Sequence, residues 1–118
     1  MEELNKCPFC GKALKVEKLR CTGCSMAIEG DFPTSRLAQL SVAQQRFIEL
    51  FVLASGSLKQ MAEELGVSYP TIRTRLDRII ECIQERIADD GKRKEQIIEA
   101  VGRGEVSAEV AAELIKKI

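Results

Sequence analysis

The sequence predicts a mainly helical fold with a small β element near its N-terminus. Three observations predict it. Two C-x-x-C pairs lie within the first 24 residues, among short alternating stretches. Apolar residues then recur at helical spacing from Phe47 to Ile87. A second, shorter helical pattern fills the chain from Lys92 to Ile118. Shifts in composition divide the 118 residues into segments 1–33, 34–90 and 91–118, with Asp89-Asp90-Gly91 read as the second interruption. Each segment is small for a self-sufficient core, so each needs added support.

Composition removes several classes of function. Lys plus Arg number 18 and Asp plus Glu number 18, so the formal net charge is zero. That excludes a polybasic protein that coats nucleic acid by bulk attraction. There is no histidine, hence no Ser–His or Cys–His nucleophile and no imidazole base. With no Trp and one Tyr, a platform for stacking single-stranded bases is not expected. The opening residues Met1 to Lys6 are polar and acidic, unlike a secretory signal. The most apolar stretch, Phe47 to Ala54, contains Glu49 and is far too short to span a bilayer. The expectation is a cytoplasmic protein without a membrane segment, whose cysteines stay reduced.

The first segment reads Cys7-Pro8-Phe9-Cys10, ten intervening residues that begin with Gly11, then Cys21-Thr22-Gly23-Cys24. Four thiolates in two such pairs suit a tetrahedral zinc ion, with iron in the same sulfur set as the lesser alternative. All four positions would be filled by protein, which makes the metal structural. Gly11 and Gly23 stand where tight turns need positive φ. Leu14 and Val16 on one side, and Met26, Ile28 and Phe32 on the other, have strand spacing. Lys6, Lys12, Lys18 and Arg20 are placed to offset the net negative charge of a four-thiolate zinc centre. These features describe a zinc ribbon.

Ser41-Val42-Ala43-Gln44 is a capping box, and the helix it opens aligns Phe47, Leu50, Phe51 and Ala54. Ser55-Gly56 ends that helix. Ser57-Leu58-Lys59-Gln60 is a second box, before Leu58, Met61, Ala62 and Leu65 at i, i+3, i+4 and i+7. Gly66 supplies a turn and Ser68 caps a third helix, where Pro70 is tolerated in the first turn. Its apolar stripe is Ile72, Leu76, Ile79, Ile80, Ile83 and Ile87. Helix, three-residue turn, helix is the helix-turn-helix arrangement. Cys82 lies on or beside the stripe as a small hydrophobe.

From about Leu40 to Ile83 the sequence resembles the DNA-binding region four of bacterial sigma factors and related response regulators. That resemblance implies a third helix set in the major groove. Its outward residues would be Ser68, Tyr69, Thr71, Arg73, Thr74, Arg75 and Arg78, with Lys59 of the second helix reaching a phosphate. Arg73→Ala should then weaken duplex binding and Lys15→Ala should not. Against this stands the balance of residues 41–90, six basic against eight acidic side chains.

In the last segment Ile97, Ile98 and Val101 share one side, Gly102-Arg103-Gly104 breaks the helix, and Ser107 caps another. Val106 is placed to staple onto Ala111. Val110, Ala111, Leu114 and Ile118 form the expected buried face. The run from Ile97 to Ile115 resembles short bacterial C-terminal helical hairpins appended to unrelated proteins, which implies an interaction or oligomerisation module.

The order of ribbon, connector after Phe32, trihelix from Leu40-Ser41, and Leu-Gly-Val-Ser-Tyr-Pro-Thr-Ile-Arg at 65–73 resembles a bacterial family catalogued as a domain of unknown function. Its members are described as transcriptional regulators. The resulting expectation is a cytoplasmic, double-stranded-DNA-binding regulator. A structural zinc folds its ribbon, and it pairs as a homodimer through the extended third helix or the C-terminal hairpin. The alternative is a zinc-ribbon adaptor for a sigma factor, polymerase subunit or other regulator, without DNA binding. No catalytic constellation and no small-molecule substrate are evident, so an enzyme is not expected.

Overall fold

The computed structural model describes residues 6–118. Residues 1–5 of the predicted ribbon segment, and with them the polar opening, lie outside the described residues. The elements are β1 (Val16–Arg20), β2 (Ala27–Phe32), α1 (Val42–Leu53), α2 (Leu58–Leu65), α3 (Tyr69–Gly102) and α4 (Ala108–Lys116). The chain forms two compact units, one ending at Ile79 and the other Ile80–Ile118.

In the first unit, β1 and β2 pair antiparallel, with Lys18 opposite Glu29, Leu19 opposite Ile28 and Arg20 opposite Ala27. The register shifts between Val16 and Lys18, so the ladder carries an irregularity there. Leu14 and Met26, expected in the strands, lie just outside them and are exposed. Among the described residues, none of the buried hydrophobic side chains belongs to the ribbon. Two short strands with so little burial are marginal by themselves.

The trihelix has a core of its own. Leu40, Phe47, Ala54, Leu58, Met61, Ala62, Ile72 and Ile79 are buried, Met61 and Ile72 almost completely. Ser41 and Gln44 make the full capping box: the Gln44 N–H donates to Ser41 Oγ at 3.1 Å, and the Ser41 N–H donates to Gln44 Oε1 at 3.2 Å. The second predicted box closes only halfway. The Gln60 N–H donates to Ser57 Oγ at 3.1 Å, but the Gln60 side chain turns to Glu64 Oε1 at 3.0 Å. Gly66 ends α2 at φ 66°, and Val67 N–H donates to Ala62 O at 3.1 Å. Leu65, expected in the core, is exposed. It lies in the last turn, where the chain already bends away.

The expected helix break at Asp89-Asp90-Gly91 is absent, and α3 runs unbroken for 34 residues. One helical glycine costs about 1 kcal/mol relative to alanine, too little to interrupt a helix propagating from both sides. The positive-φ stop comes at Gly104, φ 74°. There Glu105 N–H donates to Ala100 O and Gly104 N–H to Val101 O, both at 3.0 Å. In the second unit Ser107 caps α4, accepting from Val110 N–H at 3.2 Å. The covered side of α4 is Ala111 and Ile115, followed beyond its end by half-buried Ile118, whereas Val110 and Leu114 are exposed. The apolar pattern around α4 is wide enough to allow either face, and tertiary packing selects one.

Candidate metal centre and nucleic-acid interface

The two cysteine pairs are built to one plan. In the first, Cys7 N–H donates to Lys12 O at 2.8 Å and Gly11 N–H donates to Cys7 O at 2.9 Å. In the second, Cys21 N–H donates to Met26 O at 2.8 Å and Ser25 N–H donates to Cys21 O at 3.1 Å. Each turn has its positive-φ residue four places after the first cysteine: Gly11 at φ 73° and Ser25 at φ 63°. Gly23 was the expected residue in the second turn and is not at positive φ. Its N–H instead donates to Cys21 Sγ at 3.3 Å. Sequence reasoning missed Ser25, although its offset from Cys21 matches that of Gly11 from Cys7.

These turns aim backbone N–H groups at sulfur. The Cys10 backbone, then the Phe9 backbone and the Cys10 thiol, lower the Cys7 thiol below its ordinary range. The Cys24 backbone, then the Gly23 backbone and the Cys24 thiol, do the same for Cys21. Hydrogen bonds to the charged form favour thiolate, the species that binds metal. Arg20 adds a further support: its Nη1 donates to Ser25 O at 2.8 Å. By donor chemistry the two turns fit zinc.

The structure brings Cys7 to Cys10 and Cys21 to Cys24 as pairs. Among the described residues, no three cysteine or carboxylate side chains converge on one point. Lys18, expected to offset charge, pairs with Glu29 at 3.5 Å. Lys6 and Lys12 are exposed. Cys82 is a half-buried residue of α3.

The eight predicted DNA contacts are all exposed, but they do not form one face. Thr71, Thr74, Arg75 and Arg78 are spaced i, i+3, i+4 and i+7 on α3 and therefore share a face. Tyr69 and Arg73 lie roughly half a turn away around the helix, at 3.6 residues per turn. Arg73 Nη2 pairs with Asp77 Oδ1 at 3.2 Å. Arg75 and Arg78 make no ion pair among the described residues. Ser68 caps α3, accepting from Thr71 N–H at 3.3 Å, and its Oγ lies 2.8 Å from Thr71 Oγ1. Thr74 Oγ1 donates to Pro70 O at 2.9 Å. Lys59 is an exposed residue of α2. The Thr71–Arg78 face thus offers two guanidinium groups with free donors, flanked by two threonine hydroxyls. Such a set contacts phosphates or guanine edges.

No helix among the described residues is long and apolar enough to cross a membrane.

Two family descriptions match the chain. "Domain of unknown function (DUF2089)-HTH" matches residues 40–85, and "DUF2089 zinc ribbon" matches residues 7–38. No curated protein and no solved structure matches it.

Proposed function

We propose that this chain, which belongs to the DUF2089 family over residues 7–38 and 40–85, is a DNA-binding transcriptional regulator. It docks the first turns of α3 in the major groove of duplex DNA. The observation that carries the reading is the exposed face of Thr71, Thr74, Arg75 and Arg78, whose arginines are not occupied by carboxylates. The helix begins directly after the Gly66 turn, so these residues fall in the first three turns, where a recognition helix meets base edges.

Cys7, Cys10, Cys21 and Cys24 hold a structural zinc ion. Bound there, the ion holds together a hairpin whose described residues bury no hydrophobic side chain, and offsets thiolate repulsion. The hairpin supplies the spacing between the two pairs, and backbone N–H groups favour the thiolate form of Cys7 and Cys21. A reducing cytoplasm suits those thiols, three of them exposed. The protein is not an enzyme on this reading: it binds, and the metal has no open position.

The test is fluorescence anisotropy of the zinc-loaded chain with random-sequence duplex DNA across a salt series. Binding should weaken with salt. Replacing Arg75 and Arg78 together by Ala should lower affinity about tenfold or more, at about 1–3 kcal/mol for each strong guanidinium contact. Lys15→Ala should leave binding unchanged, because Lys15 pairs with Glu17 at 3.0 Å in the ribbon. Full binding by the double variant removes the role assigned to α3.

One observation favours a second reading, an adaptor that binds protein. Residues 41–90 carry more acidic than basic side chains, and Glu63 and Glu64 of α2 are exposed. An adaptor would show no duplex binding even at low salt.

A further inference from the structure

The four residues of the exposed α3 face do not point equally far from the core. Ile72 and Ile79 are buried and mark the inward side of the helix. At 3.6 residues per turn, Thr74 lies about 160° around the helix from Ile72 and about 140° from Ile79. The same two angles are about 120° and about 100° for Arg78, about 100° and about 80° for Thr71, and only about 60° and about 40° for Arg75. Thr74 and Arg78 therefore project outermost, and Arg75 rises from the flank beside the core. Asp77 also faces outward, but its carboxylate is held by Arg73 at 3.2 Å. Glu81, three residues beyond Arg78, ends the stretch with a negative charge that phosphates repel.

Thr74 has its hydroxyl turned back on its own helix. Thr74 Oγ1 donates to Pro70 O at 2.9 Å, so the hydroxyl proton is already engaged. The side chain then offers a partner an oxygen lone pair and a methyl group. Guanine N7 and O6 are acceptors, and such a hydroxyl has nothing to donate to them. An A·T pair is the base pair whose major-groove edge carries both an amino group and a methyl group. Arg78 is the opposite kind of group, with donors only. It is exposed, makes no ion pair among the described residues, and has the fork that takes guanine O6 and N7 together. One helical turn, about 6 Å, separates the two residues. That is about two base pairs at 3.4 Å each.

We propose that Thr74 and Arg78 set the sequence preference of α3. The preferred duplex carries an A·T pair, whose thymine methyl meets the Thr74 methyl, within about two base pairs of a G·C pair read by Arg78. Arg75, at the flank, holds a phosphate and adds affinity without choosing a sequence. The proposal rests on the duplex-binding reading above and goes beyond it, since that reading requires contact and no preference.

The experiment starts from the zinc-loaded full chain and a random-sequence duplex pool, from which bound duplexes are selected and sequenced. Anisotropy then compares the enriched duplex with two altered forms. In one, uracil replaces thymine at the A·T position and removes a single methyl group. In the other, 7-deazaguanine replaces guanine and removes N7. Uracil should weaken binding about fourfold, the burial of one methyl group, and 7-deazaguanine about tenfold. Thr74→Ser keeps the hydroxyl without the methyl and should bind the thymine and uracil duplexes alike. Thr74→Val keeps the methyl and should still prefer thymine. Arg78→Ala should bind the guanine and 7-deazaguanine duplexes alike, whereas Arg75→Ala should weaken every duplex and keep both preferences. Far-UV circular dichroism checks that each variant keeps its helices. Salt-sensitive binding of the pool without an enriched A·T and G·C pair overturns the proposal and leaves the duplex reading standing. So does a thymine preference that survives Thr74→Ser, or a guanine preference that survives Arg78→Ala. No binding of the pool at low salt overturns both.

Discussion

Ser25 occupies in the second cysteine turn the position that Gly11 occupies in the first. Both residues have positive φ, 63° and 73°, and both donate their N–H to the carbonyl of the cysteine four places earlier. The left-handed region costs an L-residue with a Cβ roughly 1–2 kcal/mol. Ser25→Gly should therefore stabilise the zinc-loaded ribbon by about 1 kcal/mol. Gly11→Ala should cost a similar amount through conformation alone, since a Cβ at Gly11 meets nothing within 4 Å. Zinc competition against a calibrated chelator measures both. Equal affinities for Ser25→Gly and the unaltered chain would deny that the turn is strained.

Zinc removal should divide the chain. Among the described residues the ribbon buries no hydrophobic side chain, whereas the trihelix has Met61 and Ile72 almost completely buried. A strong chelator should abolish amide protection at Cys21, whose N–H is bonded to Met26 O, and leave the helical circular dichroism nearly unchanged. Loss of helix in step with zinc would show that the trihelix needs the ribbon.

The two serine caps should not weigh equally. Ser41 takes part in both bonds of a capping box, and Ser57 in one. Ser41→Ala should lower stability by about 1–2 kcal/mol and Ser57→Ala by about 1 kcal/mol or less, within the usual range for cap removal. Thermal melts of the two variants rank them directly. A larger loss at Ser57 would contradict the geometry.

Burial along α3 predicts a sharp contrast. Ile72 has no exposed surface and Ile80 is 38% exposed. Ile72→Ala should cost about 2–5 kcal/mol through the cavity it leaves. Ile80→Ala should cost far less in a single folded chain. Urea denaturation compares them. Similar losses would mean that Ile80 is covered within one chain.

Much of this protein was legible in local sequence. The cysteine pairs, Ser41 and Ser107 as caps, the Gly66 turn and the stop at Gly102–Gly104 each act within a few residues, so short patterns suffice to read them. The exposure of the eight candidate DNA contacts was legible too, because polar side chains leave the core side of a helix. Their division into two sides follows from the same spacing, since Thr71, Thr74, Arg75 and Arg78 recur at i, i+3, i+4 and i+7 and Tyr69 and Arg73 fall half a turn away. Ser25 escaped notice because a serine does not announce positive φ as glycine does. Asp89-Asp90-Gly91 looked like a stop, yet a single glycine is too weak to end a helix that neighbouring turns sustain on both sides. Leu65, Val110 and Leu114 had the spacing of core residues and proved exposed. Sequence by itself determined which residues were able to be buried. Only tertiary structure decided which of them were, because burial depends on a second surface that periodicity along one helix does not contain.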